Sequence, residues 1–263
     1  MAAVLTTRRE THAAPWARRA GALSVALLIT AGLSHRYGLL DTPGLLAVLA
    51  VVPAFSILAL ILAALAFRRV WEYDDYGAGD LAVGAMLALL SLAPYFAGGF
   101  FYATRPMLVD VATDTDNPPP MPKAAKERTP GMNPLVPISA ASAASQAQAY
   151  PLVAGRSYDL PLDQTLETVR TLLDERGWEI RAENVGVPSN EVTIEARART
   201  RVLSLPVDIG IRLIEDDGST FVDMRSAWLY GRHDLGDNAA RIANFLTELD
   251  AAVLRRSSAA PSG

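Results

Sequence analysis

Two long apolar stretches of this chain hold no charged residue, 26 positions from Thr42 to Phe67 and 24 positions from Leu81 to Thr104. A helix of about 20 apolar residues spans the hydrocarbon core of a bilayer, so each run is long enough to cross one. A third run, Ala20 to Ser34, is weaker. At about 1.5 Å per residue it covers only about 22 Å. Arg18 and Arg19 before it and Arg36 after it can reach the headgroups with their long side chains, and Trp16 suits an interfacial position. The run has the apolar length of a cleaved leader. However, the segment before it is long for one, and no small-residue cleavage site follows. We therefore expect a retained helix, and three transmembrane helices near residues 17–37, 43–67 and 80–104.

Orientation follows from where arginine lies. Arg8, Arg9, Arg18, Arg19, Arg68 and Arg69 fall on one face, while only Arg36 and Arg105 fall on the other. The arginine-rich face is expected in the cytoplasm, which puts everything after Arg105 outside. The chain has no cysteine, so an exported domain must fold on its core alone, as a bacterial periplasm permits. From Pro151 onward 13 basic residues stand against 18 acidic ones. That balance argues against a nucleic-acid partner.

Pro53 and Pro94 interrupt the long runs and are read as packing features. With no ionisable group inside either run, a proton- or ion-translocating bundle is disfavoured. Ala59 and Ala63, at four-residue spacing, would let helices approach closely.

Residues 105–149 change character. Eight prolines fall in the 46 positions from Thr104 to Ala149, and the end of the stretch is Ala, Ser and Gln. This reads as a mostly irregular tether. Residues 150–254 read as a soluble α+β domain. Ser157 to Leu160 reads as a short strand, Leu166, Val169, Leu172 and Leu173 form a helical stripe behind Asp163, and Gly177 is a plausible stop. Alternating strands follow from Trp178 to Ala182, Val192 to Ala198 and Leu203 to Leu213. Asp216-Asp217-Gly218-Ser219 makes a hairpin turn into a strand from Phe221 to Leu229. Ala239, Ile242, Leu246 and Leu249 mark a closing amphipathic helix. The expectation is a mostly antiparallel sheet of about five strands with two helices on one face.

Candidate chemistry is sparse. The soluble half has one histidine, His233, and no cysteine, which excludes a zinc site of those ligands alone. Asp114-Thr115-Asp116-Asn117 starts like a calcium loop, but Pro118 follows and the turn glycine is missing. Ser226, His233 and Asp234 have the residue types of a triad without a nucleophile elbow. The densest polar cluster runs from Arg225-Ser226 through Arg232, Asp234 and Asn238 to Arg241. Two readings of it are open. In one, Asp234 or Asp237 caps the last helix and Arg225 pairs with the capping carboxylate. In the other, Arg225, Arg232 and Arg241 converge on an anionic group at the helix start.

Thr113-Asp114, Asn117-Pro118-Pro119, Tyr150-Pro151, Gly177-Trp178-Glu179-Ile180, Asp223 to Ser226, Gly231-Arg232 and Asp234-Leu235-Gly236 with Asn238 and Arg241-Ile242 resemble the "domain of unknown function 1499" family. The resemblance runs from about Val111 to Leu249 and is closest to bacterial members with N-terminal membrane spans. It departs at Leu229, Val207 and His233, where members usually carry arginine, aspartate and serine. It implies no activity, but it directs attention to Asp114, Arg225, Arg232, Asp234, Asn238 and Arg241. The functional expectation is a periplasmic, non-catalytic binding module without cofactor or metal. Its expected partners are the lipid bilayer and an envelope protein or lipid ligand. The rival is an envelope hydrolase using Asp114, Asp208, His233 or Asp234.

Overall fold

A computed structural model describes residues 11–186 and 190–259, with side chains to residue 256. Arg8 and Arg9 lie outside the described residues, as do residues 187–189 between two of the expected strands. The chain divides into two compact units, residues 1–100 with 201–204, and residues 101–200 with 205–263.

The first unit is built from α1 (Ala13–Arg36), α2 (Thr42–Tyr73) and α3 (Ala78–Thr104), whose last residues count with the second unit. The helices approach closely because small residues line their contacts. A Cβ on Gly21 would lie 2.6 Å from the Gly84 carbonyl oxygen, so α1 and α3 cross at bare backbone. Ala59 and Ala63 are buried, as their spacing suggested. Three buried hydroxyls join the helices: Ser91 Oγ lies 2.9 Å from Ser24 Oγ and 2.7 Å from Ser56 Oγ. Pro53 has no N–H to give the Leu49 carbonyl one turn back. The Tyr95 hydroxyl, next to Pro94, donates to that carbonyl instead at 2.7 Å.

The expectation of three transmembrane helices needs correction. Among the described residues, α2 and α3 alone are long and apolar enough to cross a membrane, and only 22% of the most apolar window of each is buried. The α1 segment does form a helix, but Arg18 and Arg19 at one end and His35 and Arg36 at the other leave 15 residues between them. That apolar core is too short for the same test.

In the second unit a wholly antiparallel six-stranded sheet carries β1 (Asp110–Ala112), β2 (Arg156–Tyr158), β3 (Glu179–Val185), β4 (Glu191–Arg199), β5 (Pro206–Asp216) and β6 (Ser219–Trp228). The order is β1-β6-β5-β4-β3, and β2 shares with β1 the outer edge of β6. One face is a continuous apolar ladder. Across β4, β5 and β6, Ile194, Ile211 and Met224 are in register, as are Val192, Leu213 and Val222. On this face α6 (Leu162–Glu175) contributes Val169, Leu172 and Leu173, and α7 (Asp237–Ala259) contributes Ile242, Phe245, Leu246 and Leu249. The hairpin at Asp217-Gly218 has φ of 46° and 82°, the left-handed pair that matches the twist of the flanking strands.

The 105–149 stretch carries more regular structure than its composition suggested. It contains β1, α4 (Pro122–Glu127) and α5 (Ala140–Ala149). The Gln146 amide on α5 donates to the Ala112 carbonyl at 2.7 Å and accepts from its N–H at 3.2 Å. One side chain thus occupies backbone groups of the edge strand that another chain would otherwise pair with. The segment between β1 and α5 is a strap, and it lies over the second face of the sheet.

Candidate functional site

The second face is charged, and it is covered. Period-two alternation sends Glu195 and Arg197 of β4, Asp208 and Arg212 of β5, and Asp223 and Arg225 of β6 to this side. Glu195, Asp208, Arg212, Asp223 and Arg225 are all buried, so each charge needs a partner. The strap supplies many of them. The Glu195 carboxylate accepts from the N–H groups of Lys123 at 3.0 Å and Ala124 at 2.8 Å, satisfying free donors at the start of α4. Arg225 grips Asp110 of β1 with two parallel contacts, Nε–Oδ1 at 3.0 Å and Nη2–Oδ2 at 2.6 Å, and also donates to the Val136 carbonyl. Arg212 meets Asp223 at 2.5 Å and Asp114 at 3.4 Å.

Asp208 sits between two guanidinium groups. Arg197 Nε donates to its Oδ1 at 2.7 Å, and Arg128 Nη2 lies 2.7 Å from Oδ2 in ionic contact without hydrogen-bond alignment. Arg128 also donates to the carbonyls of Asn133 at 2.7 Å and Trp228 at 3.0 Å. Burial pulls the Arg128 pKa below the ordinary arginine value, and Asp208 opposes that pull. Gly210 has a packing reason to be glycine: an added Cβ would come within 2.9 Å of the Met121 side chain, which packs flat on the strand.

The helix start is a second, separate construction. Asp234 is fully buried and caps α7, with Oδ1 accepting from Gly236 N at 2.8 Å and Oδ2 from Asn238 N at 3.0 Å. Burial raises its pKa, and the two backbone bonds counter the rise. Leu235 and Gly236 take positive φ of 56° and 77° to turn the chain into the helix. A Cβ on Gly236 would also lie 2.9 Å from the Tyr150 hydroxyl. Asn238 accepts from Ser226 Oγ at 2.7 Å and donates to the Val109 carbonyl at 3.0 Å. Arg241 donates to Ser226 Oγ at 3.2 Å and pairs with Asp237, which also accepts from Trp228 Nε1 at 3.2 Å.

Of the six residues singled out by sequence, Asp234, Asn238 and Arg241 meet at this corner. Arg225 does not join them, because it and Ser226 are consecutive on one strand and point to opposite faces. The expected pairing of Arg225 with a capping carboxylate is corrected: its partner is Asp110. Asp114 is not on a loose tether. Its Oδ1 accepts from the N–H groups of Asp116 at 3.0 Å and Asn117 at 2.9 Å, and its Oδ2 reaches Arg212. Arg232 is exposed. The three arginines therefore do not converge on one anion.

His233 is also committed. Its Nδ1 accepts from Leu235 N–H at 2.8 Å, which fixes the proton on Nε2, and Nε2 donates to the Arg105 carbonyl at 3.1 Å. Its ring lies against Tyr102 with centroids 4.9 Å apart. A histidine whose Nδ1 faces a backbone donor cannot be oriented by Asp234 in the manner of a triad. Among the described residues no three His, Asp or Glu side chains are grouped to hold a metal ion. Sequence reasoning missed Asp110, Arg128, Arg197 and Glu195. Gly210 inside an otherwise strong strand pattern was the available signal of something approaching closely.

A family model described as "Protein of unknown function (DUF1499)" matches residues 110–249, more than half of the chain. The chain belongs to that family. The DUF1499 match opens on the first residue of β1 and closes within α7. It therefore takes in the strap as well as the sheet and both long helices. Asp110, whose carboxylate holds Arg225, is its first residue. No curated protein matches the chain.

Proposed function

We propose that this protein is a membrane-anchored, non-catalytic binding module of the bacterial cell envelope. In this reading α2 and α3 cross the inner membrane, α1 stays with them as a third, shorter segment, and the DUF1499 domain faces the periplasm. Its partners are the bilayer and an envelope protein or lipid. The anchor is supported by α2 and α3, whose large exposed apolar surface suits lipid better than water. Retention of α1 is supported by the bare-backbone crossing at Gly21 and Gly84 and by the Ser24–Ser91 contact, both of which a cleaved leader would remove. Sidedness rests on the arginine count, which needs the start of α1 beside the α2–α3 turn, as the Arg18–Asp80 contact at 3.0 Å and the Thr11 N–H donated to the Tyr76 carbonyl at 3.1 Å support.

The observation that carries the non-catalytic reading is the commitment of the candidate groups. Asp208 is held by two arginines, Asp234 by two backbone amides, His233 by two backbone groups, and Asp114 by two amides and Arg212. A hydrolase needs an acid and a base facing one substrate, and these four groups are turned to separate structural tasks. The experiment measures binding of the purified full-length protein to vesicles of inner-membrane lipid, to soluble fragments of envelope polymers and to isolated envelope proteins. Saturable binding to one of these supports the proposal. Turnover of an envelope polymer that Asp208→Asn abolishes without loss of stability would replace it with the hydrolase.

A further inference from the structure

The helical unit contains a cavity of about 440 Å³ between α1, α2, α3 and the 201–204 loop that counts with this unit. Its walls include Leu28, Ile29, Leu33, Leu49, Pro94 and Tyr95. The two proline interruptions explain why space opens here. Pro94 is in the wall, and Leu49 is the residue whose carbonyl Pro53 leaves free. The one hydroxyl in the wall, that of Tyr95, is already spent on that carbonyl at 2.7 Å. A polar ligand would find nothing to bond inside, whereas a hydrocarbon chain would lose no bond by entering. The volume lies within the range of about 300–1,000 Å³ for small-ligand sites. At one end stands Arg36, the last residue of α1, exposed and also lining the cavity. Its Nη1 donates to the Arg201 carbonyl at 2.9 Å. A guanidinium offers five donors, so several are left for an anionic oxygen.

We propose that this cavity holds one acyl chain of an anionic membrane phospholipid, with the phosphate seated on Arg36. The inference rests on the membrane reading above and deepens it, because it names lipid as a bound ligand at a defined place. The apolar wall selects the chain, and the single cation at its end selects the charge of the headgroup.

The full-length protein, extracted in mild detergent, is analysed by native mass spectrometry after titration with phosphatidylglycerol, phosphatidylcholine and palmitate. One phosphatidylglycerol per chain is expected, favoured about tenfold over phosphatidylcholine, as one charge-assisted contact would give. Arg36→Gln should erase that preference and leave chain binding intact. Gly32→Leu should abolish binding of both lipids. Gly32 lines the cavity, and an added Cβ there meets nothing closer than 3.9 Å, so the substitution fills space without breaking the helix. Leu33→Trp is the second filling variant should Gly32→Leu fail to accumulate. Equal lipid retention by wild type and a filled variant overturns the proposal, as does full replacement of the phospholipid by palmitate. Release of the wild-type chain from membranes by alkaline carbonate is a different failure, since it removes the membrane reading itself.

Discussion

Replacing Asp208 by asparagine removes the negative charge between Arg128 and Arg197 and barely changes the shape of the side chain. The carboxylate is 2% exposed, and the two guanidinium groups are 6% and 17% exposed. Arg128 keeps its carbonyl acceptors on Asn133 and Trp228 but loses its countercharge. Arg197 keeps only Glu127, at 3.5 Å. Breaking a buried pair by removing one partner costs about 3–5 kcal/mol. Arg197 can turn partly toward water, so the lower end of that range is expected. For a domain of this size about 3 kcal/mol corresponds to a fall in Tm of roughly 6–12 °C. Removing the more buried pair with Arg128→Met and Asp208→Leu should cost less than Asp208→Asn alone, since Arg128 is no longer left buried without a countercharge and Arg197 can turn toward water and Glu127. The assay is urea unfolding of the full chain in detergent micelles, followed by the fluorescence of Trp178 and Trp228 with Trp16 and Trp71 replaced by phenylalanine. Hydrogen exchange over residues 122–133 reports the strap directly. If Asp208→Asn costs under about 1 kcal/mol, as a solvated pair would, the strap is not seated on the sheet by charge and the reasoning fails.

Asp234 gives a pH signature. Its folded pKa is raised by burial, so the folded state takes up this proton at a higher pH than the unfolded chain does. The contribution of Asp234 to stability therefore falls as pH rises from the ordinary carboxylate value through the raised one, and is level above it. The stability difference between wild type and Asp234→Asn should shift in favour of the variant on going from acidic to neutral pH; a pH-independent difference in denaturation midpoints contradicts this. Tyr95→Phe leaves the Leu49 carbonyl without its donor in an apolar setting and should cost about 1–3 kcal/mol, read as a lower unfolding temperature in detergent. Gly236→Ala meets both a positive φ and the Tyr150 hydroxyl, so it should destabilise by more than the roughly 1 kcal/mol that glycine-to-alanine strain brings alone. An unchanged Tm would show that the corner has room.

Much of the sheet and of α6 and α7 is legible from alternation and helical stripes, because the apolar face writes itself into every second residue of β4, β5 and β6. The other face is not legible. Glu195, Arg197, Asp208 and Arg212 look the same in sequence whether their side meets water or a strap, and only Gly210 hints at the difference. The strap itself defeats pattern reading. Its prolines and alanines carry no periodicity, and its order comes from remote partners such as Glu195 at the start of α4 and Ala112 beneath Gln146. Neighbours in sequence also mislead: Arg225 and Ser226 looked like one cluster, yet a strand places them on opposite sides. In the helical unit the apolar runs are unmistakable, whereas the close approach at Gly21 and Gly84 depends on which helix faces which. The shortness of the α1 apolar core was visible in the 15 residues between its flanking charges.

Sidedness of the folded domain can be measured directly, because the chain has no cysteine of its own. Single cysteines are placed at Leu152, an exposed residue in the DUF1499 domain, and at Trp71, an exposed residue at the far end of α2. Cells with a permeabilised outer membrane are then treated with a maleimide that does not cross the inner membrane. The cysteine at 152 should react in intact cells, and the one at 71 only after the inner membrane is opened. The reverse pattern would place the folded domain in the cytoplasm and contradict the envelope-facing module proposed here.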